Sequence, residues 1–312
     1  MIQKGLKFVL KKIYRKSFTI WEKLGFHILP VHYYSPIPEV GKLRDDIWKH
    51  ISELIGIDMN EGFQLKLLEE FQKRYSREYN SLPLYEDSKT LYYIYNGAFE
   101  SIDGEIYYCM IRYFKPKKII EVGAGFSTLL AIEAISKNEE EGYSCELMAV
   151  DPYPMETLKR TRGVMLVEKP VQDLELSEFE GLGENDILFI DSTHTVKIGG
   201  DVVYLYLEVL PRLNKGVLVH IHDIFLPLEY PKDWVLKQYR FWNEQYLLQA
   251  FLMFNNSFEV VWAGSYMNLK HADKLESAFR SYIKGKTLPG SFWMRRVKSN
   301  NRVKDREGYH IT

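Results

Sequence analysis

The part of the chain that most limits its fold begins at Lys117. From there, apolar runs of strand length (KIIEVGAG, LMAVDPYP, VMLVEKP, DILFIDS and GVLVHIHDIF) alternate with helical stretches such as Ser127 to about Lys137 and Ile198–Leu213. Strands that are apolar on both faces and separated by helices predict a parallel sheet covered on both sides, hence a doubly wound, mostly parallel, Rossmann-like α/β domain. Tyr246–Phe254 reads as a further helix, and FEVVWAG (Phe258–Gly264) and SFWMRRV (Ser291–Val297) read as closing strands.

What precedes this block is patterned differently. HILPVHYYSPIPEVG (His27–Gly41) is loop, because Pro30, Pro36 and Pro38 forbid regular helix. Leu43, Ile47, Ile51 and Leu54 then share one helical face, and Phe63, Leu67, Phe71 and Tyr75 another. A helix over Ile102–Phe114 must end before Lys115-Pro116, since the residue ahead of proline avoids helical backbone. The expected organisation is a basic leader (1–26), a loop and helical N-terminal region (27–100), an α/β domain (101–297) and a polar tail from 298.

Charge narrows the function. Net charge is −1 and pI about 6.7, so no global basic field argues for nucleic acid as a partner. The leader is the exception: over residues 1–25 seven Lys/Arg stand against Glu22, a formal +6. Its apolar runs are too short and too charged for a spanning helix or a signal peptide. It reads either as a helix packed on its own domain or as a peripheral contact with an anionic membrane surface. Cys109 and Cys145 have neither disulfide-framework nor metal spacing, which fits a reducing, cytoplasmic compartment.

EVGAGFST (Glu121–Thr128) ends the first strand and opens a helix, so Gly123 and Gly125 let the backbone turn tightly beneath a ligand. Thr128 stands where a dinucleotide fingerprint has its third glycine, and Glu121 precedes the turn. A carboxylate there repels a pyrophosphate and favours a ligand with a cationic end, such as S-adenosylmethionine, over a nicotinamide cofactor. Asp151 ends the second strand, where an acceptor pair can take two ribose hydroxyls. Gln172 and Asp173, after the third strand, are candidates for an adenine amino group.

Taken in order, KIIEVGAGFST, AVDPYP, PVQD, ILFIDSTHT and VHIHDIFLPLEYP resemble the class I S-adenosylmethionine-dependent methyltransferases, nearest to a bacterial branch with a DSTH-type motif after the fourth strand. The resemblance covers about Lys117 to Gly264. It implies that Glu121 lies near the cofactor's amino group and Asp151 near its ribose. Ser127 is a further candidate for the cofactor's amino-acid end, at a position where many relatives carry glycine.

With the usual strand order 3-2-1-4-5, the strands ending at Asp191 and Asp223 are neighbours about 4.8 Å apart. Asp191, His194, His222 and Asp223 are therefore expected to converge at the sheet edge, with His220 one pleat deeper as a satisfied core histidine. Methyl transfer to a hydroxyl needs the acceptor deprotonated. His194 or His222 can serve as general base, or a divalent metal can lower the acceptor's pKa. Related sugar and macrolide O-methyltransferases hold such a metal on an aspartate after the fourth strand and an acidic pair after the fifth. The resemblance thus implies Asp191 and Asp223 as ligands, with His222 in place of the other acid. The aromatic stretch Ile224–Tyr246 reads as a lid or acceptor wall. The expected function is O-methylation, or less readily N-methylation, of a small molecule or glycan; the alternative is a noncatalytic cofactor fold docking to a membrane or an assembly.

Overall fold

The alternating apolar runs do pair as a sheet. A computed structural model describes residues 17–88 and 90–298, and in it seven strands lie in the order β3-β2-β1-β4-β5-β7-β6. These are β1 Lys118–Val122, β2 Glu146–Val150, β3 Met165–Val167, β4 Ile187–Ile190, β5 Leu218–Ile221, β6 Phe258–Ala263 and β7 Phe292–Arg296. The pairs among β1 to β5 are parallel, while β7 runs antiparallel to both β5 and β6. The doubly wound, mostly parallel α/β prediction is therefore met, with β7 the one strand of the seven that runs against the rest.

Strand alternation sorts the core into two layers. Ile119, Leu147, Ile187, Phe189, Leu218 and Trp293 face one way, into the layer made with helices Glu61–Tyr79, Asp103–Phe114 and Phe126–Glu140. Ile120, Met148, Val150, Leu188, Ile190 and Val219 face the other, against the helical segment from Asp201 and helix Glu244–Leu252. Fully burying such a side chain stabilises the fold by roughly 1.5–3 kcal/mol, so the two layers together supply most of the drive to fold.

Element ends follow local chemistry. Helix Asp103–Phe114 stops at Lys115, whose backbone turns left-handed (φ 48°) and whose N–H bonds the Ile111 carbonyl at 3.0 Å, ahead of Pro116. The helix predicted over Ile198–Leu213 starts later, at Asp201, and tightens from an α-turn through a wide π-turn (Leu205–Val209) to a 3₁₀ end at Arg212. One prediction fails: Leu43, Ile47, Ile51 and Leu54 do not share a helix. Val40–Lys42 and Asp45–Trp48 are separate 3₁₀ turns, Leu54 is left-handed (φ 50°), and the Ser52 amide bonds the Pro227 carbonyl at 2.9 Å. Four-residue spacing is met here by short local turns, with the Ser52 amide bonding another segment instead of a preceding helical carbonyl.

The chain forms two compact units, one of Met1–Lys49 with Pro231–Phe241 and one of His50–Tyr230 with Trp242–Thr312. The first contains a helical stretch at 17–23 and an ion pair between Lys232 and Asp45 at 2.7 Å. The second contains the whole sheet. Most of the basic leader and the tail beyond 298 lie outside the described residues. No helix among the described residues is long and apolar enough to cross a membrane.

Candidate active site

Parallel strands end on one edge of the sheet, and the predicted residues stand there. β1 leaves the sheet at Gly123, whose N–H bonds the Val150 carbonyl at 2.9 Å, while the Asp191 N–H bonds the Val122 carbonyl at 2.9 Å. A cavity of about 340 Å³ opens over this edge, lined by Gly123, Asp151, Tyr153, Gln172, Asp191 and Lys197 among others. That volume lies within the range of small-ligand sites.

Glu121 sits beneath the turn and is fully buried. Its Oε1 accepts hydrogen bonds from Ser127 and Thr128, which ties the start of the helix to the end of β1. Its Oε2 has no hydrogen-bond partner among the described residues. Burial pushes this carboxyl up to about 8, against the pull of the two hydroxyls. Ser127 is thus spent on Glu121. Asp151 accepts from the Ala124 N–H at 3.0 Å with one oxygen and from the Tyr153 N–H at 2.6 Å with the other, and each oxygen keeps a further lone pair for a ribose hydroxyl. Gln172 lines the cavity and donates to the Gly199 carbonyl at 3.0 Å. Asp173 does not line it: it ends a 3₁₀ turn with its side chain exposed.

The β4–β5 register (Ile190 opposite Ile221) brings Asp191, His194, His222 and Asp223 together as expected. His194 Nε2 lies 3.2 Å from Asp191 Oδ1 and 3.5 Å from Asp223 Oδ2, and its Nδ1 lies 3.0 Å from Glu244 Oε2. His222 faces Asp191 with Nδ1 and Asp103 with Nε2, each at 3.5 Å. Burial alone would lower both imidazoles, but hydrogen bonds from Asp191 and Glu244 hold His194 up at about 10, and the charges of Asp223 and Asp191 keep His222 raised as well. Asp191 stays well below the usual carboxylate range, because the His222 charge and the His194 hydrogen bond outweigh its burial. Burial raises Asp223. His220 behaves as predicted on one side: its Nε2 pairs with Ser291 Oγ at 2.9 Å and its ring stacks on Phe189, while Nδ1 stays unpaired. Burial keeps it neutral.

Glu244 and Asp103 were not foreseen. Both are first-turn acids of helices, where an acid is ordinarily explained by the helix dipole. Asp103 also accepts from the Gly290 and Ser291 N–H groups at 2.8 and 2.9 Å. Ser192, Thr193 and Lys197, in the loop after β4, complete the cavity wall. Of the aromatic stretch, Tyr230 and Trp242 belong to the sheet-bearing unit and Trp242 lies 4.3 Å from the His194 ring, whereas Pro231–Phe241 belongs to the other unit.

A glycine turn after β1, an acid after β2 and an acid after β4, met in that order along one sheet edge, are the arrangement of the class I S-adenosylmethionine-dependent methyltransferases, and the chain belongs to that family. A family model described as a methyltransferase domain matches residues 120–224, from within β1 to just past Asp223. An uncharacterized protein of Archaeoglobus fulgidus is 36% identical over 179 residues, 54% of this chain and 80% of that one. Among solved structures, the chain is similar to an SAH-bound methyltransferase of Podospora anserina (16% identity, TM-score 0.41, 76% of this chain and 88% of that one). It is also similar to an O-methyltransferase of Bacillus cereus in complex with SAH (14% identity, TM-score 0.35, 75% and 91%). Membership of that family makes the protein an S-adenosylmethionine-dependent methyltransferase. The noncatalytic alternative finds no support.

Proposed function

We propose that this enzyme methylates a hydroxyl oxygen of a small molecule or glycan, with the acceptor held at the Asp191–His194–His222–Asp223 cluster. One observation carries the reading: Asp191 lines the cofactor cavity and is also within 3.5 Å of both histidines. Donor and acceptor sites therefore share a wall. In the reaction the acceptor oxygen attacks the sulfonium methyl, the carbon–sulfur bond breaks with its electron pair going to sulfur, and the hydroxyl proton must leave.

The cluster favours metal assistance over a histidine base. His194 faces carboxylates from both ring nitrogens, Asp191 on one side and Glu244 on the other, so neither nitrogen is presented to an acceptor hydroxyl. His222 likewise faces carboxylates from both ring nitrogens, Asp191 on one side and Asp103 on the other. Asp191 and Asp223 fit as ligands to a divalent ion, since one oxygen of each lies with His194 Nε2 inside a 4.8 Å group. Such an ion supplies Lewis acidity that lowers the acceptor's pKa.

The unpartnered Glu121 oxygen supports the cofactor's orientation, because a buried acceptor without a donor suits the ammonium of S-adenosylmethionine. A panel of hydroxylated acceptors with methyl-labelled cofactor tests the reaction. Asp223→Asn should keep the fold and cofactor affinity while turnover falls at least about tenfold. Unchanged turnover in that variant would remove the cluster from the chemistry.

A further inference from the structure

Glu244 shapes what the cluster can bind. Its side chain is fully enclosed, with one carboxylate oxygen 3.0 Å from His194 Nδ1. An ionised carboxylate only accepts, so the proton on Nδ1 is the one retained, and Nε2 directs a lone pair to the opposite side once an ion displaces the proton held there. That side holds Asp191 Oδ1 at 3.2 Å and Asp223 Oδ2 at 3.5 Å. Nothing about the position is slack: His194 has left-handed backbone (φ 55°), and its carbonyl accepts the N–H groups of Asn243 and Glu244 at 3.1 and 3.2 Å. The loop after β4 and the start of helix Glu244–Leu252 are thereby fastened together at His194, with the Val196 N–H bonding Asn243 Oδ1 at 2.6 Å beside it.

One ligand atom each from Asp191, His194 and Asp223 lies within 4.8 Å of the others. Ligands bound at about 2.1 Å to one small ion stand at most about 4.2 Å apart, so a modest closure suffices. A second observation points to the same spot. His222 is buried, its Nδ1 makes no hydrogen bond among the described residues, and that nitrogen faces Asp191 Oδ2 at 3.5 Å. Asp191 is therefore not locked by a short hydrogen bond to His222 and can turn toward an ion shared with His194 and Asp223.

We propose that His194, oriented by Glu244, is the nitrogen ligand of a divalent first-row transition ion held also by Asp191 and Asp223. The inference rests on the metal-assisted reading above and refines it. Two oxygens and one imidazole suit Mn²⁺ or Fe²⁺ better than Mg²⁺, which keeps to oxygen ligands. Glu244 is a positioning residue: it touches the ring of His194, and its loss should lower metal affinity by about 10–100-fold, as for other carboxylate–histidine–metal chains.

The test is metal binding by the full chain, stripped with chelator, titrated separately with Mn²⁺ and Mg²⁺ in the absence of acceptor. Mn²⁺ should bind at one site at least about tenfold more tightly than Mg²⁺. Spin-echo modulation of bound Mn²⁺ should show a directly coordinated imidazole nitrogen. His194→Ala should abolish that nitrogen signal, and Glu244→Gln, close in size, should weaken Mn²⁺ binding while leaving Mg²⁺ affinity within about twofold. If His194→Ala does not fold, His222→Gln decides, since the signal should survive there. The proposal is overturned if Mn²⁺ and Mg²⁺ bind equally, if no nitrogen couples, if the signal persists without His194 or vanishes with His222→Gln, or if neither ion binds. Cofactor titration of the same protein separates the two levels: S-adenosylmethionine binding without metal binding sinks this inference alone, whereas failure to bind S-adenosylmethionine sinks the methyltransferase reading.

Discussion

Adding one carbon at Gly123 and one at Gly125 should have opposite consequences. Gly123 is left-handed (φ 87°), and a Cβ there would lie 1.9 Å from the backbone oxygen of Asp191. Contacts below 3.0 Å do not occur, so the ends of β1 and β4 must separate by at least the difference, 1.1 Å. Left-handed backbone costs an L-residue about 1–2 kcal/mol, and forced repacking about 1–3 kcal/mol more. Gly123→Ala should therefore lose about 2–5 kcal/mol, a large share of a typical domain's stability. At Gly125 the backbone is extended (φ −161°), and no heavy atom lies within 4 Å of the added carbon. Gly125→Ala should stay within about 0.5 kcal/mol of wild type.

That open space is where the turn faces a ligand, so Gly125→Val should fold normally and bind S-adenosylmethionine at least about tenfold more weakly. Urea unfolding followed by tryptophan fluorescence reads the first effect and isothermal titration the second. Wild-type affinity in Gly125→Val would refute the claim that this turn cradles the cofactor. Wild-type stability in Gly123→Ala would refute the claim that β1 and β4 meet too closely for a side chain.

Two further outcomes follow from buried carboxyls. With Glu121 pushed up to about 8, roughly nine-tenths of it is protonated at pH 7; a cofactor ammonium beside it lowers its pKa, so binding should release up to about 0.9 proton. Titrations in buffers of different ionisation enthalpy measure that release, which should vanish in Glu121→Gln. Glu105 is fully buried, bonds the Ile102 N–H and Ser281, and burial pushes it up to about 7 from 4.5. Because the folded value is the higher one, its contribution is complete below about pH 4.5 and fades as pH rises through 7, by roughly 3 kcal/mol at 1.36 kcal/mol per pKa unit. The difference between wild type and Glu105→Gln in urea midpoint should shrink or reverse along that window. A difference that does not change between pH 4.5 and pH 8 would show that Glu105 does not titrate there.

The sheet was readable because its signal is local. Every core strand has apolar side chains facing both layers, and Gly-x-Gly and terminal aspartates mark where strands end. The failures share the opposite property. Four-residue spacing from Leu43 to Leu54 meets the rule for a helix, but the deciding bond, Ser52 to Pro227, spans most of the chain. Asp173 follows Gln172 in sequence, yet only Gln172 turns into the cavity. Glu244 and Asp103 were hidden by a sufficient local explanation, since an acid in the first turn of a helix needs no partner to be favourable. What could have exposed Asp103 is the company it keeps: every residue from Asp103 to Arg112 is buried, so a solvated face was not available to it.

Asp191 shows why the glycine turn and the chemistry are not separable. Its backbone oxygen is the atom that forbids a side chain at Gly123, and its carboxylate both lines the cofactor cavity and reaches His194 and His222. A residue fixed by its main chain at the crossing of β1 and β4 cannot shift toward the acceptor without moving the turn beneath the cofactor. Cofactor binding, which loads that turn, should therefore bear on the spacing between Asp191 and Asp223, where a closure is needed before one ion can touch both. If the proposed ion binds there, cofactor and ion should each tighten the other's site by the same factor.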